Sequence, residues 1–298
     1  MPRAGAPGLP ASHAEEDALS NLDFYPGFAE GRVRTDDGVG IHYVTGGSGP
    51  PLLLVHGAPQ SGVMWRKVAP LLQDRFTLVI PDLRGYGRSD KPARGDYTKR
   101  RMAADMVALM TDLGFDRFAA AGHDRGGRVV RRLMKDHPHR VTRGAVLDIV
   151  PTKWIYDHLD AKAAMSIWNW VMFVTPQAER VLNSSAIVGS TQLGDPAASA
   201  DYLLTNDTPE AFHAMCEDYR AGYHVCRHHD AEDAHIKIAA PLLVVHGEAS
   251  FSTSTIFDVH AAWAEEATDI TIRSLPCGHF LPEELPDETA RLMAEFFG

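Results

Sequence analysis

The sequence predicts an α/β fold in which a mainly parallel sheet is covered by helices on both faces and interrupted by one inserted helical segment. Three observations carry this expectation. Short apolar runs rich in β-branched residues recur along the chain, and from the third run onward they alternate with segments of helical length. The alternation stops between Pro151 and about Lys237, then resumes after Pro241.

In order, the runs are IHYVT (41–45), LLLVH (52–56), FTLVIP (76–81), RFAAAG (117–122), GAVLDI (144–149), LLVVH (242–246) and DITIRSL (269–275). Runs this short and apolar suit strands buried on both faces. The helix-length segments are 60–73, 99–113, 125–137, 255–266 and 284–297. Residues 151–235 show apolar residues at helical spacing and no strand run, which predicts a helical cap inserted into a core formed by 24–150 and 236–298. Residues 1–23 contain no apolar stretch of signal-peptide length and read as a flexible tail.

Bulk properties narrow the partners. The chain has 298 residues and a net charge of −10, which repels phosphate backbones and anionic membranes, so neither nucleic acid nor a membrane is expected. No stretch approaches the roughly 20 apolar residues that span a bilayer. Three cysteines without CxxC spacing form no disulfide framework, and a reducing compartment, the cytoplasm, is the simpler expectation.

The segment AAAGHDRGGRVVRRL (119–133) places Asp124 between Gly122 and Gly126, after a strand run and before a helical one. Small neighbours at −2 and +2 tolerate a tight, strained turn that lifts one side chain above the sheet, the context of a nucleophile elbow. The competing reading is a plain helix N-cap, for which aspartate is favoured. HGAP (56–59) supplies a loop after the second run, whose Ala58 N–H can join that of Arg125 as an oxyanion hole. CGHFLPEE (277–284) sets His279 just past the last strand, where such an architecture keeps its general base. The loop GEASFST after LLVVH offers only Glu248 as a carboxylate, with Ser250 where an acid is expected, so Asp148 at the end of GAVLD is read as the third member.

A carboxylate nucleophile gains nothing by attacking an acyl group, but it can displace a leaving group from a saturated carbon and become an ester. Water activated by His279 then opens that ester while Asp148 orients the imidazole. Alkyl halides and epoxides are the substrates this chemistry suits. Arg125 and Arg128 lie three apart at the start of the elbow helix, and two guanidinium forks there would hold a substrate carboxylate. Arg131 and Arg132, further along, read as a solvated pair. The substrate expected is therefore a small 2-haloacid, with no cofactor.

At this point the sequence resembles the haloacetate dehalogenases of the α/β-hydrolase fold, including the fluoroacetate dehalogenases. The resemblance runs from FYPGF (24–28) to the C-terminus through HGAPQSGVMW, GYGRSD, YTKRRMA, GHDRGGRV, VLDIVPT, CEDYRAG and GHFLPEE. It implies a mostly parallel eight-stranded sheet with an inserted helical cap, Asp124, Asp148 and His279 as catalytic triad, and Arg125 with Arg128 as carboxylate clamp. It also implies a halide cradle of three donors from the cap, and homodimers are frequent in the family. Trp170 and Tyr219 match two of those donors. Asn169 stands where fluoride-releasing members have histidine, and Ala58 replaces a bulky aromatic. Fluoride is a poor leaving group, so the expectation is a haloacid dehalogenase that handles chloro- and bromoacetate better than fluoroacetate.

The rival reading is an epoxide hydrolase with the same nucleophile and base, for which Tyr156, Tyr202, Tyr219 and Tyr223 are candidate proton donors. Arg125 and Arg128 argue against it, because an uncharged epoxide gives buried cations no partner. A ligand sensor on a hydrolase scaffold would not need the complete triad. CRHHDAEDAH (226–235) is irregular for a metal site and reads as an exposed connection from cap to core.

Overall fold

A computed structural model describes residues 21–189 and 195–298. The expected tail thus lies almost wholly outside the described residues. The chain forms one eight-stranded sheet in the order β1-β2-β4-β3-β5-β6-β7-β8. The strands are β1 (Ala29–Arg34), β2 (Gly40–Gly47), β3 (Pro51–Val55), β4 (Thr77–Pro81), β5 (Phe118–His123), β6 (Val141–Leu147), β7 (Leu242–Gly247) and β8 (Ile270–Leu275). The β1–β2 and β2–β4 pairs are antiparallel and the rest parallel, which bears out the mostly parallel sheet.

Seven of these strands coincide with the seven apolar runs. The first, AEGRVR, has no such run: it is an edge strand with only Val33 buried, so burial left little mark on its composition. Two helical expectations were too long. Segment 60–73 holds a 3-10 turn, Gly62–Trp65, and a single helical turn, Ala69–Leu72, while 255–266 holds only Val259–Trp263.

Side chains of the central strands alternate between two cores, as a period of two requires. Leu53, Val55, Ala120, Val146 and Val244 join one cluster with the elbow helix (Arg125–Asp136). Leu52, Leu54, Ala121, Leu147 and Val245 join the other, with Trp65 and the C-terminal helix (Pro286–Phe297). Between β6 and β7 the described chain is helical, running from Thr152–Asp157 to Arg227–Glu232. Trp170, Phe173, Phe212 and Tyr219 from this insertion extend the first cluster, so the inserted helices pack over the elbow rather than beside it.

Ion pairs fasten the insertion to the core. Arg88 pairs with Asp201, Arg125 and Lys99 with Asp218, and Arg131 with Asp230. Arg131 and Arg132 are therefore not solvated, as their sequence suggested, but buried, because carboxylates of the insertion and Glu266 close over them. The 226–235 stretch is likewise not an exposed link throughout: two of its own residues, Cys226 and Asp230, are buried. Among the described residues no helix is long and apolar enough to cross a membrane.

Candidate active site

Strand order places the site. β3 lies between β4 and β5, with Val55 level with Gly122, so the chain leaves these two neighbouring strands at the same edge of the sheet. Such C-terminal edges, where connections diverge, are where α/β sheets form crevices. Asp124 follows β5 with φ 45 and ψ −114, a backbone an L side chain rarely adopts. The flanking glycines are required sterically: a Cβ on Gly122 would lie 2.4 Å from the Gly126 carbonyl oxygen, and one on Gly126 would lie 2.4 Å from those of Val55 and His56. Asp124 occupies the N-cap position of the elbow helix but makes no capping hydrogen bond, so its carboxylate is left for other work.

One oxygen of that carboxylate, Oδ1, accepts a hydrogen bond of 3.2 Å from the Ala58 N–H. The other, Oδ2, lies 4.0 Å from Nε2 of His279. On the opposite side of the imidazole, Nδ1 is 2.5 Å from Asp148 Oδ2. Asp148 itself sits at φ 53 and accepts from the Gly247 N–H and the hydroxyls of Ser250 and Thr253. The structure brings Asp124, His279, Asp148 and Ala58 together, and Ser250, standing where an acid was missing, is one of the groups that hold Asp148. Glu248 turns away to Ser274.

The electrostatics follow from this packing. Burial opposes ionisation of Asp124, but His279, Arg128 and Arg125 outweigh it and hold the carboxyl below its ordinary value. Burial also opposes charge on His279, yet the hydrogen bond and charge of Asp148, with Asp124 beyond, raise its pKa above 6.5. Asp148 is held low against its burial mainly by His279 and then by the two hydroxyls. A stable carboxylate beside a base that readily takes a proton is the pairing that covalent catalysis followed by hydrolysis needs.

Above Asp124 lies a cavity of about 60 Å³ lined by Ala58, Asp124, Asn169, Trp170, Tyr219 and His279, with Phe173, Met215 and Phe251 among its apolar walls. Asn169, Trp170 and Tyr219 thus all border this cavity, with Trp170 and Tyr219 edge to face at 5.3 Å between ring centroids. The two arginines are placed differently from a simple clamp. Neither lines this cavity: Arg125 lies over the Tyr219 ring at 4.2 Å and Arg128 over Trp170 at 4.8 Å, behind the aromatic wall. Arg125 is already neutralised, since Asp218 takes its Nε and one terminal nitrogen. Arg128 has only neutral acceptors, the Val150 carbonyl and the Thr152 hydroxyl, and its Nε has none. Burial pulls its pKa down to about 10.

A family model described as the alpha/beta hydrolase fold matches residues 50–184. A fluoroacetate dehalogenase from Burkholderia sp is 39% identical over 289 residues, covering 91% of this chain and 94% of that protein. The chain belongs to the haloacetate dehalogenase-like α/β hydrolases. Another relative of this hydrolase is the soluble epoxide hydrolase of Corynebacterium sp. (strain C12), 31% identical over 88% of this chain and 94% of that one. Among solved structures, one described as an alpha/beta hydrolase from Nostoc sp PCC 7120 superposes with a TM-score of 0.83 at 40% identity, covering 92% and 99% of the two chains.

Two residues of the hydrolase escaped the sequence reading. Asp218 is fully buried and organises Arg125, Lys99 and the Tyr86 hydroxyl, although it lies 93 residues from Arg125. His123 packs on His279 at 4.6 Å and hydrogen-bonds its carbonyl through Nε2; burial, then His279, pull its pKa to about 4, so it braces the loop as a neutral ring. A buried acid within CEDYRAG was the available signal for the first, and the residue preceding the nucleophile for the second.

Proposed function

We propose that this hydrolase removes halide from small 2-haloacids, turning a haloacetate into glycolate through an ester on Asp124. The observation that supports this most is Arg128, a buried guanidinium with no carboxylate of its own, set near a buried aspartate at the elbow. An uncompensated buried cation is costly and favours an anionic ligand. In this reading residues 151–235 form a cap, and Arg128, behind the Trp170 ring at 4.8 Å, supplies the main positive charge that draws the substrate's acid end, with Arg125 in a lesser part because Asp218 holds it.

Asp124 Oδ2, the oxygen free of Ala58, attacks the carbon bearing the halogen. The carbon–halogen bond breaks, and its electron pair leaves with the halide toward Asn169, Trp170 and Tyr219, whose side-chain donors make no hydrogen bond within the described protein. His279 then takes a proton from water, which attacks Cγ of the ester, and the Ala58 and Arg125 N–H groups face the developing oxyanion. Collapse restores Asp124 and frees glycolate, with one proton left for solvent.

Asn169 offers a weaker donor than an imidazolium. A hydrogen bond to a charged group contributes about 1.5–3 kcal/mol, so fluoride release is slowed roughly ten- to a hundred-fold relative to a site with histidine there, while chloride and bromide depend less on that donor. Tyr219 supports a second reading, epoxide hydrolysis, because its phenol lines the cavity unengaged, whereas Tyr202 is tied to Glu283 and Tyr156 packs on Tyr223. Initial rates of halide release from chloro-, bromo- and fluoroacetate decide between them. The expected result is faster chloride and bromide release, with Asn169→His raising the fluoroacetate rate about tenfold. A fluoroacetate preference in the native enzyme contradicts the ranking, and styrene oxide turnover with no halide release from any haloacetate contradicts the function.

A further inference from the structure

A second, much smaller cavity lies where the elbow helix, the start of the Lys99–Asp112 helix and the inserted helices meet. It measures about 10 Å³, is lined by Lys99, Arg128, Arg131, Arg132, Thr152 and Asp230 among others, and shares no lining residue with the catalytic cavity. That is room for one small sphere. Phosphate, sulfate and carboxylate ligands are too large.

Charge around it does not balance. Seven cations, Lys99, Arg100, Arg125, Arg128, Arg131, Arg132 and Lys135, line it or share a carboxylate with one that does, and five carboxylates, Asp136, Asp218, Asp230, Asp233 and Glu266, answer all of them but Arg128. Counting Asp124 as the partner of Arg128 still leaves one positive charge over. Two lining guanidinium groups also carry buried nitrogens with no acceptor, Nε of Arg128 and one terminal nitrogen, Nη1, of Arg132. Both residues are more than nine-tenths buried, and the nearest carboxylate oxygen to that Arg132 nitrogen, on Asp230, is 4.0 Å away. Asp230 adds no opposing free charge to the cavity, because Arg131 takes it at 2.7 Å. A water could accept from both nitrogens, but only an anion also answers the excess charge, and an unpaired buried charge is the costlier defect.

We infer that this cavity is a halide site, holding one chloride- or bromide-sized ion between Arg128 and Arg132. Its cavity is separate from the catalytic one, and Arg128 is the residue the two readings share: its Nε takes the ion, while its charge draws the substrate's acid end. Such an ion joins the insertion to the elbow helix, since Thr152 and Asp230 come from one and the arginines from the other.

Crystals of the native protein grown without chloride and soaked in sodium bromide test this by anomalous scattering. In solution, melting temperature is followed with sodium chloride replacing sodium gluconate at constant ionic strength. The expected results are a bromide peak within contact of Arg128 Nε and Arg132 Nη1, and a saturating rise of about 2–4 °C in Tm. Cys226→Met, which fills the cavity without removing a charge, abolishes the rise, whereas Phe251→Leu, which alters the catalytic cavity away from Arg128, retains it. A bromide peak confined to the catalytic cavity, no peak at all, or a chloride response that survives Cys226→Met overturns the inference.

Discussion

Asp124 and His279 stand 4.0 Å apart with opposite pKa shifts, and in the proposed mechanism that opposition separates the two chemical steps by pH. Attack on the substrate needs only ionised Asp124, which stays ionised to below its ordinary value. Opening the ester needs neutral His279, whose pKa Asp148 raises above 6.5 in the resting protein. Alkylation removes the Asp124 charge and with it part of that rise, while Asp148 remains. Below the His279 pKa the hydrolytic step should slow tenfold per pH unit while alkylation persists, so acid-quenched samples analysed by intact mass should show covalent adduct accumulating as pH falls. Formation and loss of adduct slowing together would contradict these roles. The residues themselves were readable because elbow, HGAP loop and final histidine each carry a local pattern. Asp218 carried none, since its partners Arg125, Lys99 and Tyr86 come from distant parts of the chain and only the fold brings them together.

The element that stores strain is the turn from β5 into the elbow helix. Gly126 packs against the carbonyls of Val55 and His56, and β3 cannot retreat because it is paired on both sides. Gly126→Ala should therefore destabilise the fold by about 1–3 kcal/mol or more, measured by urea unfolding. Gly222→Ala is the control, for its added methyl meets Arg125 no closer than 3.5 Å and should change stability far less. Equal losses would mean that the close approach at the elbow has been misjudged. Elements were legible where both faces are buried, as in LLLVH and LLVVH, and illegible in β1, an edge strand with a single buried side chain and no apolar run. The segments 60–73 and 255–266 have helical composition but spend most of their length outside α-helix, so local propensity yielded there beside the loops that carry Ala58 and Ser252 to the site.

Across the whole molecule, the inserted helices close the site from above and bring carboxylates to arginines on the elbow helix. Arg131 and Arg132 read as solvated because the carboxylates that bury them lie far along the chain: Asp230, Asp233 and Glu266 arrive from the insertion and the segment before β8. The same closure leaves Arg128 buried without a carboxylate and Asp124 facing it, which is why an anionic substrate and a covalent adduct form one account. A single turnover of chloroacetate by excess enzyme in heavy-oxygen water tests that account most directly. Glycolate should emerge carrying an ordinary oxygen taken from the enzyme, and the heavy isotope should appear in the peptide containing Asp124. Heavy glycolate from the first turnover with an unlabelled Asp124 would mean that water attacks the substrate itself.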